Sequence, residues 1–325
     1  MRLDADMFFD FRALTFLGRL RESLKQFRPD LIHITGPGDL GILGFALARQ
    51  LQIPLVASWH TDLHKYAAKR LPFFRELLAG PAERGSLWSL QRFYSFARVT
   101  LAPNPDLVDM LHASTGKPCF LMRRGIDTNL FHPARRHRAD STLRLGYVGR
   151  LSTEKGIHLF APLEQAIRAA GITNYTFVIT GQGAERDWLA QNLQQVEFTG
   201  VQKGEDLART YANLDLFLFP SRTDTFGNVV QEALASGVPA AVFAEGGPKF
   251  LVEPDVSGIR AESDNDFILQ VVSLLQDRPR LTRLQDFLRS VTIDRSWDSV
   301  FEQVWSAYHS ALTPVPNAPT PPNAE

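Results

Sequence analysis

Short apolar runs alternate with amphipathic helical stretches along most of the chain. Nine runs have the length and composition of buried strands, at residues 30–35, 54–58, 99–102, 119–122, 143–149, 175–181, 196–199, 214–219 and 238–243. Strands that alternate with helices are typical of βαβ units and parallel sheets. The pattern therefore predicts an α/β fold.

The chain divides into parts of different character. Its 325 residues are enough for two domains. The polar, proline-containing segment 131–142 separates two strand-rich halves, so we predict a first domain over 1–130 and a second over 143–294. The segment between them is the predicted linker.

The end of the chain has a different pattern. Residues 295–312 predict a helix with one apolar stripe, formed by Trp297, Val300, Phe301, Val304, Trp305 and Tyr308. Residues 313–325 contain five prolines and almost no apolar bulk, so we expect a disordered tail.

Composition excludes several functional classes. With 35 basic and 35 acidic residues, the chain has no net charge to attract nucleic acid. A single cysteine, Cys119, rules out an internal disulfide and a cysteine-rich zinc site, and we expect it to be a small buried side chain. The sequence shows neither a membrane-spanning apolar run nor a secretory leader, so a cytoplasmic location is expected.

The most informative stretch runs from Ser221 to Pro239. A strand at 214–219 precedes it, and a short helix is predicted from Asn228 to Ser236. Backbone N–H groups at such a helix start lack intrahelical partners and suit an anion. Asp224 and Glu232 flank this turn and suit sugar hydroxyls, although two acids can also merely cap and solvate a helix.

A second strand–turn–helix unit carries cations. The strand at 143–149 runs into a loop that contains Arg150 and Lys155, and a helix follows from near Gly156. Open α/β sheets bind ligands at the carboxyl ends of their strands, and two cations at such an end form an anion cradle.

Together these stretches resemble the retaining glycosyltransferases of family 4 (glycosyl transferases group 1), whose acid-x7-acid motif corresponds to Asp224 and Glu232. The resemblance implies a GT-B fold, with two Rossmann-like domains whose parallel sheets face a cleft and a last helix, 295–312, that crosses back to the first domain. It also implies transfer of a hexose from a nucleoside diphosphate sugar, without a cofactor or metal ion. The loops near Arg124 and Val230 look most like GDP-mannose-dependent mannosyltransferases, followed by sulfoquinovosyl-diacylglycerol-type transferases.

The resemblance also assigns roles to residues. Arg150 and Lys155 hold the diphosphate, Asp224 the sugar hydroxyls and Glu232 the ribose, whereas His60 at the end of strand 54–58 contacts the donor sugar. Relatives usually have Glu at the position of Asp224, so donor choice or activity is expected to differ. Further candidate contacts with the substrate are Val201 for the base and Gly181, Thr225, Phe226, Gly227, Asn228 and Gly247 for the phosphates or sugar. For Gly181, a tight βα turn is the alternative. His33 and His64 have no such support, and we predict structural or surface roles for them.

Two features bear on the acceptor side. Family members normally open with a strand and a Gly-Gly loop, whereas here residues 11–27 already predict a mid-domain helix. We therefore expect a truncated first domain. The alternative function is then a nucleotide-sugar binder with impaired transfer. Residues 65–98 combine Lys and Arg with aromatic side chains. That mixture fits peripheral contact with an inner membrane leaflet and a lipid or glycan acceptor, or else an aromatic core beneath a solvated charged face.

Overall fold

The computed structural model describes residues 15–60, 75–138, 140–291 and 296–313, without the side chains of 75–83. The chain forms two compact units. The first holds the residues up to Arg123 and those from Phe301 onward, and the second holds Arg124–Val300.

The first unit is built on a four-stranded sheet in the order β1-β2-β3-β4, with every neighbouring pair parallel. Its strands are β1 Ile32–Ile34, β2 Leu55–Ser58, β3 Val99–Ala102 and β4 Cys119–Leu121. Its helices are α1 Leu17–Phe27, α2 Asp39–Gln50, α3 Arg75–Tyr94 and α4 Pro105–Thr115. Helix α4 begins where the sequence directs it, because Asn104 caps the backbone N–H of Leu107 and Pro105 occupies the first turn.

The second unit contains a six-stranded parallel sheet in the order β10-β9-β8-β5-β6-β7. Its strands are β5 Leu143–Val148, β6 Tyr175–Thr180, β7 Val196–Gly200, β8 Leu216–Phe219, β9 Ala240–Phe243 and β10 Gly258–Ala261. Its helices are α5 Phe160–Ala169, α6 Arg186–Asn192, α7 Gly204–Ala212, α8 Asn228–Ala235, α9 Asp264–Gln276 and α10 Arg278–Ser290. Short 3₁₀ turns occupy Pro133–Arg135, Thr153–Lys155, Ile157–Leu159 and Pro248–Phe250.

Both sheets show why the sequence folds this way. Strands β2, β3, β8 and β9 are buried at every position, as expected for parallel strands covered on both faces. All nine predicted strands form. Strand β10 was not predicted, because its sequence begins with Gly258 and carries the exposed Arg260, so it lacks an apolar run. Cys119 lies in β4 and is partly buried, which raises the pKa of its thiol to about 11.

The segment predicted as a linker is tied to the second unit. Arg136 and Arg138 bind the two carboxylate oxygens of Asp215 at 2.8 and 2.7 Å, and the backbone N–H of Arg144 donates to the same carboxylate. The division between the units falls at Arg123, ahead of this segment. The predicted limits at 130 and 143 stay predictions for separately folding domains.

Helix α11, Trp297–Leu312, forms at the predicted place, but the large aromatic side chains predicted for its apolar stripe are not buried. Its buried positions are Val300, Ala307 and Ala311, whereas Trp297, Phe301 and Trp305 are exposed by 46, 54 and 56%. The buried residues recur at helical spacing on a neighbouring face. This face overlaps the predicted stripe at Val300 and at the half-buried Val304 and Tyr308, but it also contains two alanines that the prediction left out. The tail prediction for 313–325 lies outside the described residues after Thr313.

Candidate active site

The order of strands in the second unit creates one natural ligand position. From β5 the chain proceeds outward to β6 and β7, and it then returns to β8 on the other side of β5. The loops after β5 and β8 therefore leave neighbouring strands at the point where the strand order reverses, which is where open α/β sheets bind ligands. The loop after β5 carries Arg150 and Lys155, and the loop after β8 carries Asp224 and leads into α8.

Lys155 and Asp224 face each other directly across these two loops. The Lys155 Nζ lies 2.9 Å from each carboxylate oxygen of Asp224, and the two side chains are only 15 and 23% exposed. A symmetric contact of this kind holds both groups in one geometry. The residues assigned to diphosphate and sugar thus meet in one place.

Arg150 is held more loosely than Lys155. Its guanidinium donates to Glu154 at 2.7 Å, and the side chain is 52% exposed. Its backbone carbonyl accepts a hydrogen bond from the buried Tyr147 hydroxyl. Burial raises the pKa of Tyr147, and the nearby charge of Asp224 adds to that rise. The loop backbone is therefore anchored while the Arg150 side chain reaches toward solvent.

The start of helix α8 has the geometry of an anion site. Gly227 adopts a left-handed conformation with φ of 96°, and its carbonyl accepts from the N–H groups of Val230 and Gln231. A side chain at Gly227 would meet Pro248 at 2.9 Å in a conformation that already disfavours side chains. The Phe226 side chain is buried in the core, so only its backbone can contribute, whereas Asn228 is exposed.

Glu232 lies one turn into α8 and has a partner that the sequence did not indicate. The fully buried Tyr211, on α7, donates its hydroxyl hydrogen to a Glu232 oxygen at 2.8 Å. Burial raises the pKa of Glu232, and the bond from Tyr211 acts in the opposite direction. Glu232 also borders a cavity of about 260 Å³. The cavity is lined by Arg124, Gly125, Ile126, Asp127, Phe131, Asn228, Gln231, Glu232 and Trp297.

The loop after β9 packs closely on the loop after β8. The Gly247 N–H donates to the Asp224 carbonyl at 2.7 Å, and a side chain at Gly247 would lie 2.1 Å from the Thr225 carbonyl oxygen. Arg222 binds Glu245 and Asp264 and lies over the Phe243 ring at 3.6 Å. These contacts fix the backbone that carries Asp224.

Gly181 and Val201 lie farther along the same carboxyl edge, after β6 and β7. Gly181 has φ of 137°, and a side chain there would lie 1.9 Å from the Gly149 carbonyl oxygen. Close approach of two loops therefore explains this glycine without a ligand. Val201 is 55% exposed just after the left-handed Gly200.

His60 belongs to the first unit, where it follows strand β2. Its Nε2 lies 2.7 Å from the buried Ser58 Oγ, and Ser58 in turn contacts His33. The prediction of a structural or surface role for His33 did not include this contact, and it stays a prediction. Sequence reasoning could not detect the contact, because strand register brings His33 and Ser58 together, 25 residues apart.

Part of the predicted basic and aromatic stretch 65–98 lies outside the described residues, as does His64. In the described part, Trp88 and Phe96 are 66 and 43% exposed, whereas Tyr94 is buried and Phe93 packs against the core. Within the ranges that the structure covers, no group of three or more His, Cys, Asp or Glu side chains could hold a metal ion. No helix among these residues is long and apolar enough to cross a bilayer.

Comparisons with known proteins agree with this geometry. The pattern of Glycosyltransferase Family 4 matches residues 7–130, and that of Glycosyl transferases group 1 matches residues 142–277. A GDP-mannose-dependent alpha-mannosyltransferase of Corynebacterium glutamicum is 33% identical over 299 residues, which cover 89% of this chain and 67% of the relative. One of the same name from Mycobacterium tuberculosis is 30% identical, with 90 and 76% covered.

The chain belongs to glycosyltransferase family 4. A solved structure, Anabaena Alr3699/HepE in complex with UDP, superposes with a TM-score of 0.70 at 18% identity, covering 91% of this chain and 82% of that one. These findings confirm the predicted family, the GT-B fold class and the prediction of a hexosyltransferase that uses a nucleotide sugar. The individual site residues stay predictions.

Proposed function

We propose that this family 4 glycosyltransferase moves a hexose, mannose in preference, from a nucleoside diphosphate sugar to a hydroxyl of a lipid or glycan acceptor, with retention at the anomeric carbon. The observation that carries the proposal is the meeting of cations, acids and a helix N-terminus at the reversal of strand order. The names of the matched mannosyltransferases support mannose as the sugar.

The chemistry follows from the leaving group. As the bond to the sugar breaks, negative charge grows on the diphosphate, and preorganised donors that face this charge lower the barrier. We assign this task to Arg150, Lys155 and the amides at the start of α8. Because these groups supply positive charge themselves, the reaction needs no divalent metal in this proposal.

We assign the remaining residues to different parts of the donor molecule. Asp224 would hold the sugar hydroxyls, Glu232 the ribose and Val201 the base, while His60 would contact the transferred sugar. Gly227 and Gly247 would let the backbone approach the ligand, and Thr225 and Asn228 would contribute polar groups beside it. Exposed Trp88 and Phe96, with the Arg92 guanidinium 5.1 Å from the Phe96 ring, support peripheral contact with a membrane that holds a lipid acceptor.

A donor screen tests the proposal. GDP- and UDP-linked hexoses are incubated with the protein, and release of nucleoside diphosphate is measured with and without anionic lipid vesicles. We expect GDP-mannose to be consumed fastest, with the product anomer matching the donor by NMR. Binding of nucleoside diphosphate without turnover would instead favour the impaired nucleotide-sugar binder, and no binding of any of them would contradict the proposed site.

A further inference from the structure

A continuous chain of hydrogen bonds crosses the first unit and ends at His60. The Tyr308 hydroxyl lies 2.8 Å from His33 Nδ1, His33 Nε2 lies 3.0 Å from Ser58 Oγ, and Ser58 Oγ lies 2.7 Å from His60 Nε2. Three separate elements contribute, namely β1, β2 with its following residues, and α11.

The sheet explains why these side chains meet. In the parallel ladder His33 pairs with Val56, so Ser58, two residues further along β2, projects from the same face as His33. His60 follows after two more residues. The parallel ladder with β1 and β3 holds this register, and beyond it the Trp59 N–H donates to the Leu101 carbonyl.

Burial of these hydrogen-bonded side chains limits which of them can carry a charge. Burial lowers the pKa of His33, which favours the neutral ring with one donor and one acceptor nitrogen. Burial also raises the pKa of Tyr308, so its hydroxyl keeps its hydrogen. Ser58 is fully buried, and its hydroxyl group contacts two imidazole nitrogens, one from His33 and one from His60.

Counting hydrogens then gives the chain a direction. If Tyr308 donates to His33 Nδ1, the hydrogen of His33 lies on Nε2 and points to Ser58, and the Ser58 hydroxyl donates to His60 Nε2. The hydrogens of Tyr308, His33 and Ser58 are then all donated within these three bonds. In the reverse direction the Tyr308 hydrogen would need another acceptor, and within the described ranges His33 is its one hydrogen-bond partner. Tyr308 is half-buried, and the first direction is the one that gives its hydrogen an acceptor within the described part of the protein.

We propose that Tyr308 and His33 are positioning residues which, through Ser58, fix His60 as the tautomer that carries its hydrogen on Nδ1. His60 then acts on its surroundings as a hydrogen-bond donor through Nδ1. The tautomer itself does not depend on the proposed function, but the value of such a donor at the transferred sugar does. A donor nitrogen matches a sugar oxygen that gains charge during transfer.

The test uses protein labelled with ¹⁵N at its 8 histidines, with the His60 signals assigned by their loss in His60→Asn. We expect the wild-type His60 nitrogens to report hydrogen on Nδ1. Ser58→Ala and Tyr308→Phe should each move the tautomer ratio of His60 toward Nε2, by roughly 2- to 12-fold for one neutral hydrogen bond. Tyr308→Phe is the decisive variant. Its hydroxyl does not touch His60, so it can change the tautomer only through His33 and Ser58.

Tyr94→Phe is the matched control. It removes a buried hydroxyl that also contacts Ser58, but this contact is with the backbone carbonyl of Ser58, which takes no part in the hydrogen bonds to the two histidines. We expect it to leave the His60 tautomer unchanged. Hydrogen on Nε2 in the wild type would overturn the proposal, and so would a folded Tyr308→Phe protein with an unchanged ratio or an equal shift in the control.

Activity separates this inference from the proposed function. If the tautomer shifts as expected and Tyr308→Phe also lowers kcat with little change in KM, both stand. A tautomer shift in a protein that turns over none of the screened donors would support the hydrogen-bond chain and contradict the transferase reaction.

Discussion

The two carboxylates of the acid-x7-acid segment are held in opposite ways. Asp224 precedes helix α8 and shares both its oxygens with the cation of Lys155. Glu232 lies within the helix and receives one hydrogen bond from the neutral Tyr211. The first acid is compensated by charge, whereas the second is partly removed from water and compensated by a phenol.

This difference matches a division of labour along the donor. Asp224 is paired with Lys155, the cation proposed to bind the diphosphate, so its interactions should change as charge grows at the reacting bond. An acid set in a cavity behind it can hold a part of the ligand that does not change during the reaction. Interactions that are equal in the ground and transition states affect binding, and those that differ affect turnover.

The largest effect on turnover with unchanged nucleotide affinity should come from Asp224→Ala. We expect kcat to fall by about 100-fold, because the transferred sugar loses its positioning contact. Free nucleoside diphosphate should bind as well or better, since Lys155 is released from its partner. Steady-state kinetics and calorimetry measure the two quantities. A parallel loss of nucleotide affinity would break the comparison.

Replacing the cations should slow turnover and also weaken binding, because both face a diphosphate that is charged in the ground state and gains charge in the transition state. Arg150→Ala and Lys155→Ala each remove a charge-assisted contact, so affinity for the nucleoside diphosphate should fall about 10- to 150-fold. Lys25→Ala, which disrupts an exposed pair with Glu22, is the control and should have no effect. Unchanged affinity in both site variants would remove these residues from the site.

Glu232→Ala and Tyr211→Phe sharpen the other side of the comparison. Glu232→Ala should remove one hydrogen bond to the nucleotide, and Tyr211→Phe removes the bond that orients Glu232. Each variant should weaken nucleotide binding about 2- to 12-fold and leave kcat nearly unchanged. The same variants are then measured with a 2′,3′-dideoxynucleoside diphosphate. Their effect should vanish, because the ribose hydroxyls that Glu232 would accept from are absent. A persistent effect would place Glu232 elsewhere.

The pH dependence of binding should also follow Glu232. Its pKa is raised, so protonation and loss of nucleotide affinity should begin at a higher pH than for an ordinary carboxylate. Tyr211→Phe removes the bond that opposes the rise, and the loss should move to still higher pH. The contribution of Glu232 to folding stability changes with pH in the opposite direction. A carboxyl with a raised folded-state pKa favours the folded protein below its unfolded pKa, and this contribution is lost as pH rises through the folded pKa.

The smallest expected effect is that of chelation. Because Arg150, Lys155 and the helix start already supply positive charge, exhaustive EDTA treatment should change turnover by less than about twofold. Loss of activity that magnesium or manganese restores would contradict the roles given to these groups.

Local patterns were enough to predict much of this molecule. The strand, turn and helix around Gly227 follow from short-range signals, and so do the buried strands of both sheets. The partners of the site residues do not. Lys155 and Asp224 are 69 residues apart, and His33 and Tyr308 are 275 apart, so their meeting depends on tertiary structure. Tyr211 has the spacing of an ordinary core residue on an amphipathic helix, and nothing in that spacing reveals where its hydroxyl points.

The ion pair between Lys155 and Asp224 has a consequence for selectivity among anions in the cell. Inorganic phosphate or diphosphate that captures Lys155 must leave the carboxylate of Asp224 without its partner, in a place where water covers little of it. In the proposed roles, a nucleotide sugar brings a diphosphate for Lys155 and hydroxyl groups for Asp224 together. Abundant small anions should therefore be poor competitive inhibitors of a site that the complete donor satisfies on both sides.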